Sequence, residues 1–208
     1  MSGGRRPARA DLIGPNAILQ YLPVLEAQLG VPGLGDLLSR AAIVEVPDGS
    51  QMIDEEQVAR LHQAVRQQLP AQAPQLAEAA GAGTADYIIA HRIPPPIARI
   101  LPVLPAGLAQ RLLTRAIASH AWTFAGSGTF RVASHRPLTF EILNNPVVRG
   151  EHAEHPVCRW HAAVFARLFS RLVGPHYQVH ETDCAACGDA ACRFELRRLP
   201  ESRGSPAA

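Results

Sequence analysis

At 208 residues the chain is long enough to bury a full core, as one domain or as two small lobes. Hydrophobic residues make up 47%, yet no uninterrupted apolar run reaches the ~20 residues of a membrane span, so a transmembrane role is excluded. Its 20 basic residues, all arginine, stand against 18 acids for a net charge of +2, and Arg5, Arg6, Arg9, Arg197 and Arg198 are too sparse for a nucleic-acid stripe. The N-terminus has no apolar secretory stretch, so the chain is expected in the cytosol, where thiols stay reduced and clustered cysteines bind metal or react more often than they pair.

Residues 1–11 and 200–208 are polar, rich in Gly, Ser, Pro and Arg, and are expected to be frayed tails. From Asn16 to Leu29, Ile18, Leu19, Leu22, Leu25 and Leu29 follow helical spacing behind Pro15, and Val31 to Gly35 reads as a break. Asp54 caps a second helix whose first turn is acidic and whose stripe is Val58, Leu61, Val65 and Leu69; Pro70 stops it. A third helix spans residues 75–91, with Gly81 and Gly83 as its weak point, and Arg92 to Pro96 is a rigid connector. Ala106 to Trp122 is a further, very apolar helix through Leu108, Leu112, Leu113 and Ile117.

The period then changes. Thr129 to Ala133 and Leu138 to Ile142 alternate as strands, Pro156 to Val173 is helical, and Tyr177 to Glu181 and Cys192 to Leu196 are two more strands. The fold class is therefore α+β: a helical N-terminal region, 12–124, followed by a β-β-α-β-β unit, 125–199, with an antiparallel sheet.

All four cysteines fall between Cys158 and Cys192. Phe194 and Leu196 mark the core face of the last strand, so Cys192 points inward, and Glu181 lies on the same face of its strand as Val179. Cys158 stands in the first turn of the helix, where the dipole favours the thiolate that binds metal. Cys158, Glu181, Cys184 and Cys192 can complete a closed tetrahedron around zinc, and Cys187 can replace Glu181 to give a four-cysteine site. Either is structural, with no open position for water chemistry. The competing readings are inert buried cysteines and a Cys184/Cys187 redox pair, though the latter lacks the βαβ context of a thioredoxin.

The segment from Phe130 to Leu196 resembles the 4-vinyl reductase domain, a small-ligand-binding module, through Cys158, Glu181 to Cys184, Gly188 and Cys192 to Leu196. In sensor relatives of that family these positions hold zinc with three cysteines and one glutamate, which carries over to Cys158, Glu181, Cys184 and Cys192. Cys187 is outside that pattern. Ile13 to Ile18, Ala90 to Pro94 and Ala118 to Gly128 are similar to the bacteriochlorophyll-pathway members, so the resemblance spans nearly the whole chain. It implies a role in bacteriochlorophyll synthesis, with a divinyl protochlorophyllide-type pigment, a magnesium porphyrin or chlorin, as ligand. Pathway enzymes such as magnesium chelatase or a methyltransferase are the implied partners, and a homodimer and a place peripheral to photosynthetic membranes are further expectations. The family's activity is vinyl reduction; its sensor members suggest instead a signalling module, although this chain has no attached output domain.

Vinyl reduction needs a hydride or electron source, NADPH or a flavin. Gly81 to Asp86 lies within a helix, and the Gly126/Gly128 stretch follows a helix and precedes a strand, the wrong order for a nicotinamide turn. A carrier or accessory role is therefore preferred to catalysis. The helical half is expected to wall a large apolar pocket against the sheet. His91, His120, His135 and His161 are candidates for magnesium, and Arg92, Arg99, Arg111 and Arg115 for a propionate. His120, Trp122, His91 and Arg115 are singled out because they end apolar helices or stand near such an end. The plainer reading is that helix C-termini favour histidine and that surface is the default place for arginine.

Overall fold

The computed structural model describes residues 11–175 and 177–199, so of the expected tails 1–10 and 200–208 lie outside the described residues. Short β1 (Leu12–Ile13) leads through α1 (Asn16–Leu19) into α2 (Leu22–Arg40). The expected break at Val31 to Gly35 is instead a bend at Gly30, whose φ of 70° and ψ of 172° interrupt the helix. Glycine accepts that positive φ, and Pro32 then fits the first turn of the resumed helix, where a missing N–H costs nothing. Antiparallel to β1, β2 (Ile53–Asp54) delivers the chain to α3 (Glu55–Gln68), capped by Asp54 Oδ1 accepting from Glu56 N at 2.8 Å.

In α4 (Ala73–His91) Gly81 is no weak point. A Cβ there would stand 2.5 Å from Trp160 O and 2.8 Å from Ala163 Cβ, so the glycine permits close approach to a later helix. After Pro94 the expected connector turns helical as α5 (Pro95–Ile100), followed by a tight turn at Leu101–Val103. The next helix is shorter than expected. It runs as α6 (Ala106–Ser119), His120 leaves helical geometry, and Trp122 opens the separate α7 (Trp122–Ala125). Ala109, Leu113 and Ile117 are its buried stripe, whereas Leu108 and Leu112, expected in the same stripe, face outward.

The second half has the expected order: β3 (Thr129–His135), β4 (Leu138–Leu143), α8 (Arg159–Leu172), β5 (Tyr177–Asp183) and β6 (Ala191–Arg198). The strands form one antiparallel sheet in the order β3-β4-β6-β5, and the molecule is α+β. Register aligns Leu138, Phe140 and Ile142 with Leu196, Phe194 and Cys192, and Glu181 with Phe194, so one sheet face carries both core and cysteine. Onto that face α8 lays Phe165, Leu168, Phe169 and Leu172, and α4 crosses α8. The rings of Phe140 and Phe165 meet edge to face at 5.0 Å and those of Phe165 and Phe194 at 5.5 Å, each such pair adding about 0.5–1.5 kcal/mol beyond its area burial.

Candidate metal centre

Three elements converge at one end of the sheet. Cys158 is the N-cap residue of α8 rather than part of its first turn. Cys192 enters on β6 opposite Ile142, Glu181 on β5, and Cys184 follows β5 at the start of the turn Ala185–Cys187. The ligand atoms of Cys158, Glu181, Cys184 and Cys192 all lie within 4.8 Å of one another. Cys158 Sγ is 3.4 Å from Cys192 Sγ and 4.0 Å from Cys184 Sγ. A tetrahedral zinc with Zn–S bonds of ~2.3 Å requires sulfur separations of about 3.8 Å, so the spacing matches a metal tetrahedron and exceeds a disulfide bond.

Polar partners fix the donors. Glu181 Oε2 accepts the Cys158 N–H at 2.7 Å, while Oε1 is buried without a partner among the described residues. Asn145 Nδ2 donates at 3.4 Å to both Cys158 and Cys192, and Ala185 N donates to Cys192 Sγ at 3.4 Å. Asp189 Oδ2 accepts from Cys184 N at 2.8 Å across a loop that Gly188 closes with a φ of 95°. Asn145 and Asp189 escaped the sequence reading: Asn145 stands before Pro146 and looks like a turn residue, and Asp189 follows a glycine as loop residues do.

The charges at this site are unequal. Burial, then hydrogen bonds with Cys184 and Cys192, push the Cys158 thiol well above the usual range. Hydrogen bonds from Cys158 and Cys184, against burial, pull Cys192 down to about 4. Burial, reinforced by Cys184, raises the Glu181 carboxyl to about 8. The donors that reach these atoms, the Asn145 amide and the N–H groups of Cys158 and Ala185, are neutral. Thiol and carboxyl groups held this close keep their protons until a cation replaces them, and the orphaned Glu181 oxygen is the vertex such an ion would complete. Cys187 is exposed and outside this group.

The residues singled out for pigment lie elsewhere, at the surface. His120, Trp122, His91 and Arg115 are all exposed. The apolar pocket expected between helices and sheet is filled by Phe124, Phe130, Phe140, Phe165 and Phe194. His161 is embedded among these rings; its Nε2 lies 3.3 Å from Phe124 O, its Nδ1 has no partner, and burial holds its pKa at about 4. A second polar knot ties the halves together: buried Glu55 accepts from Ser127 N at 2.7 Å, from Ser127 Oγ at 2.6 Å and from Arg149 Nη1 at 2.8 Å. The sequence marked Glu55 only as a helix-start acid.

Residues 138–198 match the model of the 4-vinyl reductase domain family. The "Bacteriochlorophyll synthase 23 kDa chain" of Cereibacter sphaeroides is 56% identical over 98% of this chain and 97% of its own length. The protein of the same name from Rhodobacter capsulatus is 45% identical over 98% of this chain and 96% of its own. In fold the chain is similar to an H-NOX protein from S. oneidensis in the Fe(II)NO ligation state, with a TM-score of 0.54 over 90% of this chain and 100% of that one; at 11% identity the likeness is one of fold alone. Such identity to the 23 kDa chains over nearly the full length places the helical half in the same lineage as the sheet, and the chain belongs to the 4-vinyl reductase domain family of the bacteriochlorophyll synthase 23 kDa chain, as the resemblance of its motifs implied.

Proposed function

We propose that this protein serves bacteriochlorophyll synthesis as a zinc-stabilised carrier, binding a divinyl protochlorophyllide-type tetrapyrrole for pathway enzymes such as magnesium chelatase or a methyltransferase. The observation that carries this reading is the near-full-length relationship to the bacteriochlorophyll synthase 23 kDa chains of two species. Zinc is supported by the sulfur spacing and by the partnerless Glu181 oxygen. Bound there, zinc supplies a tetrahedral tie with no open position. Cys158 anchors the start of α8, Cys192 anchors β6, and Cys184 with Glu181 anchors the end of β5.

A surface site for the pigment is supported at the junction of α6 and α7. There Trp122 offers an exposed apolar plane beside His120, and Arg115 precedes them on α6 by about one turn. His120 Nδ1 lies 2.9 Å from Ala116 O, which can only accept, so Nδ1 carries the proton and Nε2 keeps its lone pair. A backbone carbonyl holding one ring nitrogen is the usual support for a histidine that ligates metal through the other. Arginine suits a propionate. His91, stacked beside Tyr87 at 4.6 Å, ends α4 and is the second histidine of this reading.

Carriage rather than reduction is supported by the order of elements around Gly126 and Gly128, which follow α7 and precede β3 and so form no nicotinamide turn. The test mixes zinc-loaded protein with a divinyl magnesium chlorin and then NADPH, with and without flavin. Absorbance reports binding, and mass reports the product. A spectral shift that His120→Ala weakens, with the pigment mass unchanged, is the expected result. A protein-dependent gain of two hydrogens would make the protein the vinyl reductase, and no spectral shift at all would end the carrier reading.

A further inference from the structure

The chain carries no acidic residue between Asp86 and Glu141, although it has 18 acids in all, and that interval holds six arginines: Arg92, Arg99, Arg111, Arg115, Arg131 and Arg136. The same interval contains a run of large apolar side chains turned to the outside. Ile97, Ile100 and Val103 are exposed on α5 and the turn after it, and Leu108 and Leu112 are each 46% exposed on α6. The turn packs against both helices, so these positions belong to one continuous surface region. Ala109, Leu113 and Ile117 face the interior, and helical spacing puts Leu108, Arg111, Leu112 and Arg115 together on the opposite side of α6. Arg99, Arg111 and Arg115 are exposed and make no ion pair among the described residues.

We propose that this α5–α6 face docks on the surface of an anionic lipid bilayer. An interfacial helix needs apolar side chains on the side that enters the headgroup layer, cations beside them and no acid to be repelled. This surface meets all three conditions. Trp122, 58% exposed just beyond α6, adds the amphipathic ring that settles at a membrane interface. The charge pattern also argues against a second copy of the chain as occupant, because a two-fold pairing would set unpaired arginines against arginines. The apolar positions extend along α5, the turn and a 14-residue helix about 21 Å long, beyond what the ring at the α6–α7 junction would cover. The inference is independent of the pigment, since it rests on other residues and needs no pigment to be tested.

Full-length, zinc-loaded, pigment-free protein is sedimented with vesicles of phosphatidylcholine alone and with vesicles that also contain phosphatidylglycerol. The expected result is retention on the anionic vesicles only, weakened by salt. Removing positive charge with Arg99→Gln and Arg111→Gln lowers the affinity about fivefold per arginine. Leu108→Ser with Leu112→Ser abolishes retention while circular dichroism and melting temperature stay unchanged. Trp160 is buried, so a blue shift of tryptophan emission on vesicle addition reports Trp122. The arginine pair buries nothing, so it keeps the test decisive should the leucine variant unfold. Equal partition onto both vesicle types, or retention untouched by the arginine substitutions, would overturn the proposal. So would a dimer in solution that the leucine variant converts to monomer, which would assign the face to a second copy.

Discussion

Two carboxylates enter the interior of this protein on opposite terms. Glu55, at the start of α3, is fully satisfied: the Ser127 N–H and hydroxyl and the Arg149 guanidinium take both its oxygens. Glu181, on β5, receives one backbone N–H and keeps the other oxygen bare among three thiols. Glu141 sides with Glu55: burial alone would raise its pKa, but Arg193 and Arg131 hold it below the usual carboxylate range. An arginine-satisfied carboxylate finishes a structural staple by itself. A carboxylate left incomplete beside sulfur, with only neutral donors nearby, is arranged for a cation that the chain does not supply.

The strongest way to break this contrast is at the sulfurs. Cys192→Ser, or stripping zinc with a chelator, is expected to lower stability by several kcal/mol, on the order of a lost structural metal. Elemental analysis with thermal melting reads the effect, and full zinc occupancy at an unchanged melting temperature would remove the metal assignment. Glu181→Gln sharpens it further. The substitution should weaken zinc binding yet leave the metal-free protein as stable as before, since burial keeps the proton on the carboxyl and an amide has the same shape.

The histidines extend the contrast to pH. Burial holds His161 at about 4 and His62 well below its ordinary 6.5. The native state therefore refuses a proton that the unfolded chain binds below pH 6.5, so stability is present above 6.5 and is lost as pH falls toward 4. For His161 the loss is about 3 kcal/mol across that window. His161→Phe should flatten this share of an acid titration of melting temperature in zinc-free protein. A variant with the same acid slope as the parent would contradict the buried neutral histidine. Glu55→Gln comes next, with an expected loss of about 2 kcal/mol from the charge-assisted bonds to Ser127. Because this staple needs no metal, chemical denaturation should give the same loss with and without zinc. The smallest effect is expected at Cys187→Ser, within about 0.5 kcal/mol and with zinc content unchanged, because that thiol is exposed. A clear loss of zinc there would restore the four-cysteine alternative.

Much of the second half was legible because its chemistry is periodic. Alternation placed Phe194 and Leu196 on the core face and so turned Cys192 inward, and a cysteine at the entry to α8 had one direction in which to meet it. What escaped depends on contacts between distant segments. Nothing local to Asn145 says that its amide will bridge Cys158 and Cys192, and nothing local to Glu55 foretells Ser127 and Arg149. The apolar pocket failed for the same reason. Each phenylalanine was readable as core, but not that Phe124 and Phe130 would reach across to Phe165 and fill the space. Leu108 and Leu112 were counted as core by hydrophobicity, whereas only the fold shows which side of α6 has a neighbour.

At Gly81 the backbone of α4 lies directly against that of α8, with no side chain between them to absorb a shift. Two rods joined without a cushion turn together, because close-packed interiors transmit displacement rather than dissipate it. The residue capping α8 is Cys158, and the last residue of α4 is His91. A change in the grip on that sulfur therefore works as a crank. It tilts one helix, drives the other, and arrives at the histidine on the surface as motion.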